Sequence, residues 1–139
     1  MIQYHFETDF ELGQLSKYSD WLNGIILSTN FIAGDLNYIF CDDPYLLDIN
    51  QKYLDHDTYT DIITFDYTEQ HILAGDIFIS IDRIKENAQN FEVTFQNELL
   101  RVMSHGLLHL MGYGDKSVQE SLLMREKENE CIEMFHVEQ

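Results

Sequence analysis

Residues 104–117 read "SHGLLHLMGYGDKS" and carry the clearest chemistry in the chain. His105 and His109 are four apart in an apolar run that breaks at Gly112-Tyr113-Gly114 and meets Asp115. On an α-helix, positions i and i+4 lie one above the other on one face, about 6 Å apart along the axis. Two imidazoles so placed can hold a single divalent cation from the same side. The glycines supply backbone angles that let the chain reverse, and the reversal can return the Asp115 carboxylate to the two rings. Three protein ligands leave a fourth position for water, the arrangement of catalytic rather than structural zinc. A cation in such a site acidifies its water and polarises a carbonyl or phosphoryl oxygen. The other reading of the bare pair is two histidines that are hydrogen-bonded in the core or paired by coincidence at the surface.

The skeleton H-x-x-x-H-x-x-G-x-x-D also invites comparison with zinc proteases, which place a glutamate directly after the first histidine as general base. Here that position is Gly106, which disfavours peptidase chemistry. A hydrolase still needs a group to orient or deprotonate its water. Asp61 in "TYTDIITF" and Asp76 in "AGDIFIS" each interrupt a strand-forming run. Either could hydrogen-bond a ligand imidazole or poise the water; either could equally be a carboxylate satisfying backbone donors at a strand edge or turn. His71 and His136 read as solvated, His5 needs no role, and Glu120, Glu126, Glu128 and Glu130 read as the wet face of the last helix.

Positioning these groups requires a frame, and the pattern predicts a mixed α/β or α+β domain. A small sheet of about four strands is packed with helices, and a central helix carries the metal ligands. "IQYHFE" is a first strand. Apolar spacing predicts a helix from about Leu12 to Leu27, capped by Asp9. "DLNYIFC" (35–41) is a strand, and Asp43-Pro44 opens a helix through roughly Tyr53 as cap and first residue. Runs 60–67 and 72–81 form a strand pair. Asp82 caps the helix "RIKENAQNF", and Thr94 caps the histidine helix, 95–111. Ser117 to Glu120 has the form of a capping box for a final helix.

One domain over residues 1–139 is the expectation, since no repeat, low-complexity tract or Gly/Ser-rich linker divides the chain. No apolar run is long enough to cross a bilayer, the N-terminus lacks a secretory pattern, and Cys41 and Cys131 are not spaced as a metal or redox pair. Together these predict a cytoplasmic protein with reduced thiols and no membrane partner. Eight Lys+Arg against 25 Asp+Glu give a formal charge of −17. Such a field repels polyphosphate at long range and disfavours loose nucleic-acid binding. A nucleic-acid substrate would need a local basic patch or a basic protein partner.

The segment "HGLLHLMGYGD" resembles the H-G-x-L-H-L-x-G-Y-D-H signature of the YbeY family of bacterial ribosomal-RNA maturation factors. "NQKYLDHDTYTDIITFDY" (50–67) is similar to the family's N-x-x-Y-R-x-x-D-x-P-T-D-V-L-S-F segment. "GDIFIS" (75–80), with Asp82-Arg83 and the helix to Phe91, is similar to the part preceding the histidines. The resemblance implies a single-domain α/β fold with one zinc ion. It also implies a metal-dependent single-strand endoribonuclease of small-subunit rRNA 3′-end maturation and ribosome quality control, with ribosomal RNA and small-subunit proteins as partners. His105 and His109 fall on the first two ligands. The family's third histidine falls on Asp115, the aspartate before it on Gly114, and the arginine of the middle segment on Leu54. Aspartate is an acceptable zinc ligand, though its charge makes the ion a weaker acidifier of water. Leucine cannot replace a phosphate-binding arginine. The remaining candidates for a positive groove are Lys52, His56, Arg83, Lys85 and Arg101. Two other classes stay open: a metallohydrolase of another substrate, and a non-enzymatic ribosome-associated factor with a structural metal.

Overall fold

The computed structural model describes residues 1–54 and 59–137. In chain order the elements are β1 (Ile2–Phe6), α1 (Leu15–Leu27), β2 (Ile32–Cys41), α2 (Asp43–Leu54), β3 (Ile62–Asp66), β4 (Ile72–Ser80), α3 (Ile81–Asn90), α4 (Phe95–Leu110) and α5 (Val118–Val137). The four strands form one sheet in the order β1-β2-β4-β3. β1 and β4 run parallel to β2, and β3 is antiparallel to β4. The expected small mixed sheet with helices is therefore the observed architecture. No helix among the described residues is long and apolar enough to cross a membrane.

The central strands β2 and β4 are most apolar where helices cover them, along one face and at their C-terminal ends on the other. On one face Leu73, Ile77 and Ile79 of β4 join Leu36, Tyr38 and Phe40 of β2 in the main core with α1, α4 and α5. On the other face a smaller cluster, Cys41, Leu46, Ile49 and Ile63 with Phe65 and Phe78, seats α2. α4 lies against the sheet at Gly106, where a Cβ would come within 2.8 Å of Ile77 Cγ2 and 3.0 Å of Ile62 Cδ1. The residue that would be a glutamate in a zinc protease thus faces the sheet, and its backbone lets the helix approach closely. Trp21 is buried and its Nε1–H donates to the Cys131 carbonyl at 2.7 Å, tying α1 to α5. Phe135 completes that joint edge-on to Trp21, with centroids 5.5 Å apart; such pairs contribute about 0.5–1.5 kcal/mol beyond area burial.

Three expected helix starts are displaced. α1 begins at Leu15, after Gln14 in a left-handed conformation (φ 56°), so Asp9 is not its cap. At α2 the cap is Asp42, whose Oδ1 accepts from Tyr45 N at 3.0 Å; the Asp43 carboxylate instead accepts from Ser80 Oγ and Arg83. For α3 the cap is Ser80, whose Oγ accepts from Arg83 N, and Asp82 accepts from the Asp43 backbone. In each of the last two cases neighbouring polar side chains compete for the same few N–H donors, and the chain's entry angle decides between them. Strand β2 also starts earlier than expected, at Ile32. Thr94, by contrast, caps α4 as read from the sequence, accepting from Asn97 N at 3.0 Å.

Candidate functional site

Helix α4 ends in a turn that its sequence specifies. Gly112 takes φ 101°, its N–H donates to the His109 carbonyl at 3.0 Å, and Tyr113 N–H donates to the Leu108 carbonyl at 3.1 Å. This pair of bonds is the Schellman motif, which needs a residue without a Cβ penalty at the left-handed position. The reversed chain is then held by the start of α5. Ser117 and Glu120 bond each other's backbone N–H reciprocally, at 3.0 and 3.1 Å, which is the capping box expected. Ser121 Oγ donates to the Asp115 carbonyl at 2.8 Å. A Cβ on Gly114 would lie 2.6 Å from Glu120 Oε2, so glycine there makes room for the cap.

The turn places Asp115 Oδ2 3.3 Å from His105 Nε2 and 3.4 Å from His109 Nε2. The two Nε2 atoms are 2.9 Å apart. Protonation follows from what the other ring nitrogens face. His109 Nδ1 lies 2.9 Å from the Tyr113 carbonyl oxygen, which can only accept, so Nδ1 carries the proton. His105 Nδ1 lies 2.6 Å from Glu128 Oε2 and donates to it. In the neutral rings both Nε2 atoms are then acceptors, aimed at each other and at a carboxylate. Such a trio is stable only around a positive centre, either a proton or a metal ion. The potential ligand atoms of His105, His109 and Asp115 all lie within 4.8 Å of one another. Donor chemistry, orientation and spacing therefore fit one small divalent cation held by two nitrogens and an oxygen.

Glu128 corrects the expectation that it belongs to a wet helix face. It is 5% exposed, and its second oxygen accepts from Arg101 Nη1 at 3.0 Å. Burial pushes its carboxyl up, but the hydrogen bonds from His105 and Arg101 outweigh this and hold it below the usual range. For His105 burial disfavours the charged ring, yet the Glu128 bond and nearby carboxylates raise its pKa overall. A sequence signal for Glu128 existed. The buried positions of α5 are Met124, Glu128, Cys131, Ile132 and Phe135, so this glutamate occupies the apolar stripe. Glu126 and Glu130 are exposed as expected.

A cleft of about 470 Å³ opens over the histidines, within the range of ligand-enclosing sites. Asp61 lines it, and burial, partly offset by His105, raises its carboxyl above the usual range. Glu98, buried on α4, lines it too; burial and Asp61 push its carboxyl up against the pull of Arg101 and Arg125. Asp76 is elsewhere. Its neighbours Gly75 and Ile77 face α4, so strand alternation turns its side chain to the opposite face, where it accepts from Asn37 Nδ2 at 3.1 Å. Among the described residues, Arg101 is the one expected groove cation that lines the cleft. Arg83 is bound to Asp43 at 3.0 Å and Glu86 at 2.6 Å, and so joins α2 to α3. Lys52 pairs with Asp48 on the exposed side of α2, Lys85 is exposed on α3, and His56 lies outside the described residues. Arg125, Asn87 and Phe91 line the cleft without having been singled out in the sequence.

Residues 6–136 match the family model described as Endoribonuclease YbeY. The chain is 54% identical over its full length to the Endoribonuclease YbeY of Flavobacterium psychrophilum, covering 99% of that protein. It is 52% identical, with both chains fully covered, to that of Flavobacterium johnsoniae. Its fold is similar to the solution structure of TM1509 from Thermotoga maritima, with a TM-score of 0.69 and 29% identity over 99% of this chain and 91% of that one. With the family model matching nearly the whole length, the chain belongs to the YbeY family.

Proposed function

We propose that the protein is a metal-dependent endoribonuclease that cuts single-stranded RNA in small-subunit rRNA 3′-end maturation. Zinc would be its cofactor, ribosomal RNA and small-subunit proteins its partners, and the cytoplasm its location. One observation carries the catalytic reading: three acceptor atoms, from His105, His109 and Asp115, converge in the floor of an open cleft. The relatives' names support cleavage of RNA. A divalent ion bound there supplies Lewis acidity to a phosphoryl oxygen and to water.

The protein's own groups have separable tasks. Glu128 and the Tyr113 carbonyl keep the protons on the Nδ1 atoms, which fixes both rings with Nε2 toward the cleft. Arg101 holds Glu128. Asp61, whose carboxyl is easier to protonate than usual because of burial, is the group to accept a proton from the attacking water. As the P–O bond to the leaving nucleotide breaks, that proton is available for the departing oxygen. Incubating the metal-loaded protein with single-stranded RNA and with casein tests the assignment. RNA cleavage that is lost in a folded His109→Ala variant is expected; casein cleavage, or full RNA cleavage by the variant, refutes it. Leu54, in place of a phosphate-binding arginine, favours a second reading as a non-catalytic ribosome-associated factor with a structural metal. That reading predicts unfolding on metal removal with no RNA cut under any condition.

A further inference from the structure

The chain has only three arginines, in a background of −17. Two are committed within the fold: Arg83 to Asp43 and Glu86, Arg101 to Glu128. Arg125 differs. It is exposed on α5, it lines the histidine cleft, and it forms no ion pair with any described residue. A second feature shares that cleft. Phe91 is 59% exposed and closes α3, where its backbone N–H donates to the Asn87 carbonyl, so its ring has no structural duty in the cap. Asn87, four residues earlier on the same helix face, lines the cleft beside it. An exposed phenylalanine alone is ordinary. An exposed aromatic ring, a guanidinium that forms no ion pair with any described residue and feels the field of Glu98 in the same cleft, and an amide around the site that would cut RNA form a different object.

We infer that Phe91 and Arg125 form a nucleotide seat beside the cleavage position, with a base stacked on the Phe91 ring and a backbone phosphate held by Arg125. This rests on the ribonuclease reading and adds to it a reason for single-strand selectivity. A stacking platform accepts any base by its π-face, but only from a strand whose bases are free to leave their neighbours. A duplex cannot offer one without unstacking. Arg125 supplies short-range attraction at the cleft, which a strongly acidic protein needs because its overall field repels RNA.

The test is fluorescence anisotropy of the full-length, zinc-loaded protein with a labelled 12-nucleotide single-stranded RNA of mixed sequence. Titrations run at 4 °C over a series of salt concentrations, and oligomer length is verified afterwards. Phe91→Ala is expected to weaken binding about tenfold or more, with an unchanged salt slope, and Phe91→Trp to restore it. Arg125→Gln is expected to weaken binding and to reduce the slope of log K against log salt by about 0.7, the signature of one phosphate contact on a single strand. A duplex of the same sequence should compete poorly. Both side chains are exposed, so the variants should melt as the wild type does. Wild-type affinity and slope in both variants, with cleavage by the wild type intact, overturns the seat and leaves the ribonuclease reading standing. Absence of both binding and cleavage in the wild type overturns both.

Discussion

Glu128 gives the most demanding prediction, because its role follows from geometry that no local motif announces. Its two oxygens accept from His105 Nδ1 at 2.6 Å and Arg101 Nη1 at 3.0 Å, almost out of solvent. In Glu128→Gln one oxygen becomes an NH₂ group, so one of the two donors now faces another donor. If the imidazole responds by moving its proton to Nε2, the nitrogen that faces Asp115 and His109 can no longer bind a cation. Loss of such an outer partner typically costs 10- to 100-fold in metal affinity, or about 1.4–2.7 kcal/mol. The same change leaves the mostly buried Arg101 with a neutral amide oxygen in place of a carboxylate, at a cost of roughly 1–3 kcal/mol to the metal-free fold. At this chain length each kcal/mol lowers Tm by about 4 °C. The assay is zinc competition against a chromophoric chelator, with thermal unfolding followed separately in chelator. Zinc Kd should weaken at least tenfold. A wild-type Kd in a variant whose metal-free Tm has fallen would falsify the positioning role and leave Glu128 a purely structural acid.

Other consequences follow from single positions. Gly112→Ala forces a side chain into φ 101°, which should cost about 1–3 kcal/mol; since the Tyr113 carbonyl moves with it, zinc affinity should fall too, and a Tm within 1–2 °C of wild type would contradict the strain. Burial, with help from nearby carboxylates, pushes the Cys41 and Cys131 thiols up to about 12. Neither should react with Ellman's reagent in the native protein, and both should react in urea; a fast native thiol would refute the packing at that position. Glu98 has a raised carboxyl pKa in the folded state, mainly from burial. Its contribution to stability is present below the ordinary carboxylate range and is lost as pH rises through the folded value. Glu98→Gln should therefore gain on wild type in metal-free urea melts between pH 4 and 8, and an unchanged difference across that range would contradict the burial effect.

What was legible in the sequence was local. The i,i+4 histidines, Thr94, the glycine turn and the Ser117–Glu120 box each act within a few residues, so their types and spacing nearly determine the geometry. The strand pair 60–67 and 72–81 was legible for the same reason. Glu128 was harder, since its partners lie 23 and 27 residues away on another helix, yet an acid in the apolar stripe of α5 was a visible clue. Asp61 and Asp76 looked alike as polar interruptions of strands. Which of them reaches the cleft depends on the face α4 covers, and the small residue at Gly75 and the apolar Ile77 mark that face. Which cations reach the cleft was not legible either, because charge is read along the chain but paired in space. Arg83 is adjacent to Asp43 only once α2 and α3 meet.

The central claim is that His105, His109 and Asp115 together hold one divalent cation. The most direct measurement is zinc content per folded chain, by elemental analysis after exhaustive dialysis, in wild type, His109→Ala and Asp115→Ala. One zinc per wild-type chain and a substoichiometric content in both variants, each with native circular dichroism, is the predicted result. A full equivalent of zinc retained by Asp115→Ala would remove the carboxylate from the metal shell and contradict the account.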